Sequence, residues 1–443
     1  MPSFARFTCA SAACAALALA ASAAPAAAQF SFSSPVVIDN THNAGEPGII
    51  ADPSGKIFVN APGGIPGPSL VWRSDDGGGT WKSTGPGTVG ANPSGPAANV
   101  TVGGGDANLA TDATGNLYFI DLWLGNSSAA VSHDSGASWL GQPFGTMPIQ
   151  DRPWISADPR PGQQGIVYSV TEQLGTGLWI SRSVANSPLA GAVYPLSTLE
   201  IATAQRGVIG TIPPGNLATS MNGTTYNVYS TSTSTAPGMH GVGISSLPAG
   251  GITTTNGSVA PADGSFDTSQ SFPVVAVDNT ADNNVYVVWN DPTPTSSNIR
   301  FASSTDGGKT WSSAVTVGQG LFPWVTAQAP GKVDIGWYSA APTYVGDPNK
   351  APAGTQWNVD FAQSVNATSS APAFTAPETA ATNIKSGAIC TQGTGCSADR
   401  ELLDFMSIAH DSAGNALLAF TTVPSSGHSN IEFAKQTAGT GIG

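Results

Sequence analysis

The sequence predicts an all-β protein, a seven-bladed β-propeller, with six blades as the alternative. Three observations lead there. The pattern Ser-x-Asp-x-Gly-x-Ser/Thr-Trp occurs three times, as SDDGGGTW (Ser74–Trp81), SHDSGASW (Ser132–Trp139) and STDGGKTW (Ser304–Trp311). A second phrase, an apolar run, then Asp-x-x-Gly or a decayed form of it, then an apolar or aromatic run, occurs seven times. No long helical periodicity interrupts these phrases. Recurrence of this kind marks a repeat architecture, and radial repetition of four-stranded sheets protects sheet edges.

Each element follows from its residues. The seven longer phrases are GIIADPSGKIFV, NLATDATGNLYFID, WISADPRPGQQGIVYSV, NLATSMNGTTYNVY, PVVAVDNTADNNVYVVW, PWVTAQAPGKVDIGWY and MSIAHDSAGNALLAF. Asp-x-x-Gly between alternating apolar runs signals a hairpin, here the inner two strands of a blade. The eight-residue phrase then joins the outer two strands. Its Asp and Ser or Thr bond the turn backbone, its Gly supplies unusual φ, and its Trp packs beneath. These phrases pin hairpins and imply no chemistry. QFSFSSPVVIDN (Gln29–Asn40) is expected to add an outer strand to the last blade and close the ring.

Residues 1–28 hold one Arg, an Ala/Leu run and small residues before Gln29, which reads as a secretory signal. The run is too short and too Ala-rich for a membrane span, and no later segment qualifies. Residues 29–443 are therefore expected to form one propeller domain, secreted or periplasmic and monomeric. A formal charge of −13 makes nucleic acid and anionic membranes poor partners. Cys9 and Cys14 fall in the leader. Cys390 and Cys396, in CTQGTGC, are expected to form a local disulfide rather than a metal pair, since no second ligand pair accompanies them.

The eight-residue phrase resembles the Asp-box of the sialidase and bacterial neuraminidase-repeat superfamily. DRPW, EPGIIADP and FPVVAVD also resemble stretches of secreted bacterial sialidase-like proteins. The resemblance implies an Asp-box propeller that processes a carbohydrate or glycoconjugate. It also implies six blades where the phrase count is seven. Sialidases proper carry an arginine triad, a Tyr–Glu nucleophile and an Asp acid/base. The early Arg-Ile-Pro phrase is missing here, and Glu46 stands in its place. Arg152, Arg206 and Arg400 are the arginines on the corresponding face.

That face is the one opposite the turns. Six residues before each turn Asp or its equivalent stand Glu46, Asp106, Arg152, Pro214, Phe272, Phe322 and Phe405. They are expected to ring the channel mouth, ionisable on three blades and apolar on four. On the second strands the aligned residues are Ala61, Asp121, Thr171, Tyr229, Trp289, Trp337 and Phe420. If Asp112 pairs with Gly115, Asp106 lies opposite Asp121, with Cβ atoms about 4.5–5.5 Å apart. Carboxylates at that distance repel by roughly 3 kcal/mol at an effective dielectric of about 20, which splits their proton affinities. A retaining glycosidase uses such a pair.

Asp106, Asp121 and Glu46 are thus the catalytic candidates. Asp151, Arg152, Arg206, Glu172, Trp123, Tyr338 and Asp404 are the substrate-binding ones. No cofactor is required. Ca²⁺ held by Glu46, Asp106 and Asp121 is the competing use of the same carboxylates, and plain solvation is another. A glycoside hydrolase is the leading function. A non-catalytic glycan- or protein-binding propeller is the first alternative. A polysaccharide lyase with His240 or Tyr338 as base is the second. The long polar segment from Asn366 to Arg400 is expected to reach the same face as a lid, a rim or a plain insertion. Phosphate-loop, HExxH and serine-elbow patterns are missing.

Overall fold

The computed structural model describes residue 1 and residues 29–64, 69–86, 103–123, 126–144, 150–173, 176–185, 189–202, 214–231, 241–261, 271–293, 295–341, 343–425 and 427–443. The expected leader, residues 1–28, lies outside them apart from Met1.

The described strands form seven antiparallel sheets. Each innermost strand packs against the next, and the last packs against the first, so the sheets close a ring of seven blades. The alternative of six is excluded. Blade 1 runs Gly48–Ala51, Ile57–Ala61, Leu70–Ser74, Lys82–Ser83 from the axis outward, and blade 2 runs Ala107–Thr111, Leu117–Trp123, Asn126–Ser132, Leu140–Phe144. Blade 3 runs Gln150–Ala157, Val167–Gln173, Gly177–Arg182, Leu196–Ala202, and blade 4 runs Pro214–Thr219, Thr225–Thr231, Gly241–Leu247, Thr255–Pro261. Blade 5 runs Val274–Val277, Val285–Thr293, Ser296–Ser304, Val315–Gln319, and blade 6 runs Leu321–Ala327, Val333–Ala341, Gln356–Ser364, Glu378–Ser386. Blade 7 has Ser407–His410, Ala416–Ser425 and His428–Ala438, and the chain start completes it: Ser31–Phe32 and Val36–Asp39 both pair with His428–Ala438.

Both faces of each blade are buried, so the second strands are buried residue after residue, as at Ile57–Ala61 and in the first seven residues of Val333–Ala341. Alternation decides which neighbour each residue meets. In blade 2, Leu117 and Phe119 join the core shared with blade 1. Tyr118 and Ile120 join the core shared with blade 3.

The eight-residue phrases do join third and fourth strands, and their contacts repeat. Gly78, Gly136 and Gly308 donate their N–H groups to Ser74, Ser132 and Ser304, each at 2.8 Å. The Asp of each phrase accepts the N–H and hydroxyl of the Thr or Ser four residues on. The Trp81 and Trp311 indoles donate back to the Gly78 and Gly308 carbonyls, whereas Trp139 reaches Thr84 O in blade 1 at 2.7 Å.

Two side-chain relays tie blade to blade. The Asn of the repeated NLAT is one. Asn108 Oδ1 accepts Ile155 N–H at 3.0 Å, and the Asn216 amide both accepts from Val275 N at 2.7 Å and donates to Val275 O at 3.0 Å. These contacts satisfy inner-edge backbone groups that have no fifth strand to pair with. The other relay is a tyrosine. Tyr118 OH donates to its own turn's Asp112 at 2.6 Å and accepts Gly165 N–H of blade 3 at 3.0 Å. Tyr286 repeats this with Asp278 and Gly331 of blade 6, at 2.8 Å each. A cavity of about 420 Å³ occupies the turn side of the channel, lined by residues such as Leu109, Ile155, Thr326 and His410. It contains none of the ring residues described below.

Removing the Tyr118 hydroxyl orphans a buried N–H, so Tyr118→Phe is expected to lower stability by about 1–3 kcal/mol. Tyr286→Phe is expected to cost the same within error. Denaturant midpoints check this; a negligible loss at either position contradicts the relay.

Candidate functional site

The ring at the strand starts is where the ionisable residues meet. Three of its members, Glu46, Arg152 and Phe322, have positive φ of 50°, 46° and 53°. Each precedes a proline, Pro47, Pro153 or Pro323. In blades 3 and 6 the pairing skips from Asp151 to Trp154 and from Leu321 to Trp324, so Arg152 and Phe322 sit in bulges. A bulge re-aims a side chain out of the strand's alternation. Left-handed backbone at a non-glycine residue costs of order 1 kcal/mol, and such outliers gather at functional sites.

The re-aimed Arg152 lies among carboxyls from three other stretches of chain. Nη1 meets Glu46 Oε2 at 2.9 Å, and Nη2 meets Glu46 Oε1 at 3.1 Å and Asp404 Oδ2 at 2.8 Å. Nε faces Asp106 Oδ2 at 3.4 Å. Asp404 N–H donates to Glu46 Oε1 at 3.1 Å, and Arg400 Nη2 reaches Asp404 Oδ2 at 2.9 Å. Apolar rings close the other side. The guanidinium carbon lies 5.9, 5.4 and 5.7 Å from the ring centroids of Trp154, Phe272 and Phe405. With Trp324 these aromatics form a plug of mutual edge, tilted and stacked contacts, 5.2–5.9 Å apart. The predicted split of the ring into ionisable and oily sectors is therefore one structure: the oily sector desolvates the ion cluster.

Exposure then separates the members. Glu46, Asp404 and Arg152 side chains are 1%, 0% and 5% exposed, while Asp106 is 21% exposed. Burial pushes Glu46 up, but the charge and hydrogen bonds of Arg152 outweigh it and hold this carboxyl below its usual range. Burial and the Glu46 charge raise Asp404 to about 7 against the pull of Arg152 and Arg400. Asp106 is pushed well above the ordinary carboxylate range by burial. Arg152 pulls it down, and Glu46, Asp151 and Asp404 push it up again. Three carboxyls facing two guanidiniums reach neutrality with one proton, which they titrate as a coupled group. Asp106 is the carboxyl through which solvent reaches that proton.

Several expectations need correction. Asp121 is opposite Ala107, and Asp106 instead accepts Leu122 N–H through its carbonyl. The expected opposed pair is absent because the Asp112 turn closes on Asn116, with Gly115 an extra residue at φ 85°. One added residue moves each side chain to the other face. Asp121 is fully buried, and burial raises it to about 6. Glu46, Asp106 and Asp121 do not converge on a Ca²⁺ position: a guanidinium stands among the first two, and among the described residues no acidic or His/Cys group has metal-site geometry. Tyr338 is not at the surface; it is buried between blades 6 and 7, its hydroxyl accepting Thr421 N–H at 3.2 Å. Arg152 and Asp404, expected to bind substrate, are buried and paired with one another and with Glu46.

The remaining candidates divide. Asp151 is half-buried, and its carboxylate accepts Arg152 N–H at 2.9 Å. Buried Glu172 is its direct cross-strand partner, so an opposed carboxylate pair does exist, one blade away from the expected place. Trp123 ends its strand, with its side chain outside the described residues. Arg206 and His240 also lie outside them. Cys390 and Cys396 are bonded as expected. The segment they pin carries Arg400 and Asp404 into the ring, and Lys385 anchors it through Glu401 at 2.8 Å. Trp154 and Trp324 were missed; each stands one residue after the proline that follows a ring position.

No family model matches the sequence, and no curated protein matches it. Similar solved structures include a protein of unknown function from Dyadobacter fermentans, with 14% identity over 92% of this chain and 99% of that one and a TM-score of 0.46. An α-L-arabinofuranosidase from Fusarium graminearum has 11% identity over 93% and 98%, with a TM-score of 0.48. The endosialidase of phage phi92 has 12% identity over 93% and 70%, with a TM-score of 0.47.

Arg152→Met strands buried carboxyls and is expected to cost about 3–5 kcal/mol at neutral pH. The loss is expected to shrink at about pH 5, because Asp404, raised to about 7, holds its proton there and carries less charge to compensate. Unfolding free energies at the two pH values check this, and equal losses contradict it.

Proposed function

We propose that the protein is a secreted glycan-processing enzyme, a glycoside hydrolase acting at the channel mouth with Asp106 as proton donor. One observation carries this reading. Asp106 combines a proton affinity held well above that of a free carboxyl with a side chain 21% exposed, beside residues that are sealed. A general acid must hold its proton at working pH and still reach the leaving group. In this reading Asp106 gives its proton to the glycosidic oxygen as the bond from that oxygen to the anomeric carbon breaks. Asp151 is the carboxylate that then attacks the anomeric carbon or draws a proton from the attacking water. Asp151 is near enough to raise the Asp106 proton affinity and is itself partly exposed. Arg152, Glu46 and Asp404 hold and tune the acid without touching the sugar. The leader-like residues 1–28 and the disulfide support secretion.

A second reading has its own support. The ion cluster joins blades 1, 2, 3 and 7, so it also serves as a staple in a propeller that only binds glycans or proteins. Incubating wild type and Asp106→Asn with a panel of neutral and acidic glycans separates the two. Wild type is expected to release reducing ends without an ultraviolet-absorbing product, and Asp106→Asn to lose roughly 10²–10⁴-fold in rate. Activity is expected to survive chelation. Cleavage of no glycan, or a fully active Asp106→Asn, sinks the hydrolase reading, and an unsaturated product assigns a lyase.

A further inference from the structure

We infer that Asp121 is a positioning residue for Asp106, acting through a strap of three glycines that it holds against blade 2. The functional meaning rests on Asp106 being the acid; the mechanical claim does not.

The scaffold has no need of a carboxyl in this slot. The equivalent residues in the other blades are Ala61, Thr171, Tyr229, Trp289, Trp337 and Phe420. Asp121 is fully buried, and no cationic group is among the influences on its charge. An isolated buried carboxyl is costly unless nearby dipoles compensate. Those dipoles come from three places. Ser128, its cross-strand partner, donates its hydroxyl to Oδ1. The Ser69 hydroxyl and the Gly103 N–H also favour the charged form, although neither closes a full hydrogen bond on Oδ2.

Gly103, Gly104 and Gly105 run directly into Asp106, and each is constrained. A Cβ on Gly103 would overlap the Asp121 carboxylate. Gly104 has φ 78°, and its N–H donates to Ser69 Oγ at 3.1 Å while its carbonyl accepts Gly64 N–H at 2.8 Å. Gly105 N–H donates to Leu122 O at 3.0 Å, and a Cβ there would come 2.7 Å from that oxygen. The strap is thus clamped between a blade 1 loop and the second strand of blade 2. The buried carboxylate sits beneath its first residue. The next peptide is that of Asp106, whose carbonyl accepts Leu122 N–H at 2.9 Å. Where the strap lies decides how deep the Asp106 side chain enters the ring, and therefore how dry it is.

The test is the titration of the Asp106 carboxyl, followed by NMR of protein labelled with carbon-13 at aspartate and glutamate carboxyls. In Asp121→Asn the Asp106 midpoint is expected to fall by about one unit or more toward the free-aspartate value, with Glu46 unmoved. Ser69→Ala, which removes the hydroxyl's strap contacts to Gly104 N–H and Gly105 O and leaves the carboxyl, is expected to shift Asp106 the same way by less. It also serves if Asp121→Asn does not fold. An Asp106 midpoint unchanged in a folded Asp121→Asn, or unchanged in Ser69→Ala, overturns the proposal. So does a Glu46 shift as large as that of Asp106, which marks general loosening. No substrate enters the measurement, so a shifted Asp106 with no glycan ever cleaved keeps the positioning role while the hydrolase reading falls.

Discussion

One buried guanidinium organises this molecule. Arg152 is the point where blade 3 meets carboxyls from blades 1, 2 and 7, up to 252 positions away from it in the chain. A positive charge with 5% exposure is tolerable only if it is paired and hydrogen-bonded. The pairing is therefore obligatory, and it fixes four blades relative to one another at the axis. The aromatic plug on the other side raises the strength of every charge interaction by excluding water. Stability and chemistry are coupled here through the same contacts: the environment that makes Arg152 need its partners is the one that leaves a proton on Asp106.

The scaffold was legible because its rules are local. Hairpin turns declare themselves through Asp, Gly and alternation, and the seven phrases mapped onto seven inner hairpins. The NLAT repeat had a reason that sequence alone did not show, the inner-edge clamps of Asn108 and Asn216. Ring closure by the chain start was legible for the same local reason, a short alternating stretch with no partner of its own.

The site was legible in membership and illegible in geometry. Counting back from the turns found Glu46, Asp106 and Arg152; prolines at the same offset after Glu46, Arg152, Phe272 and Phe322 fixed the alignment, and Asp106, followed by Ala107, came from the count alone. Asp121 was misplaced by one residue because Gly115, although its N–H donates to the Asp112 carbonyl at 3.1 Å, is an extra turn residue, and Asp112 meets Asn116 in register. The bulge at Arg152 was invisible because it depends on where a strand resumes pairing, at Trp154. Nor does any local pattern tell that the Asp404 carboxyl, delivered by a disulfide-pinned segment, would share a guanidinium with Glu46. Interactions between blades are set by the whole ring, so they emerge only once the ring is closed.

What remains to be weighed is whether Asp106 holds a proton. Neutron diffraction from deuterated crystals at about pH 6 reads it directly, since that pH lies well above the ordinary carboxylate range. Nuclear density for a deuteron on a carboxyl oxygen of Asp106, with both Glu46 oxygens bare, is the expected result. A bare Asp106 beside Arg152 would mean that the guanidinium outweighs burial and the surrounding carboxylates, and that this ring holds charge without poising an acid.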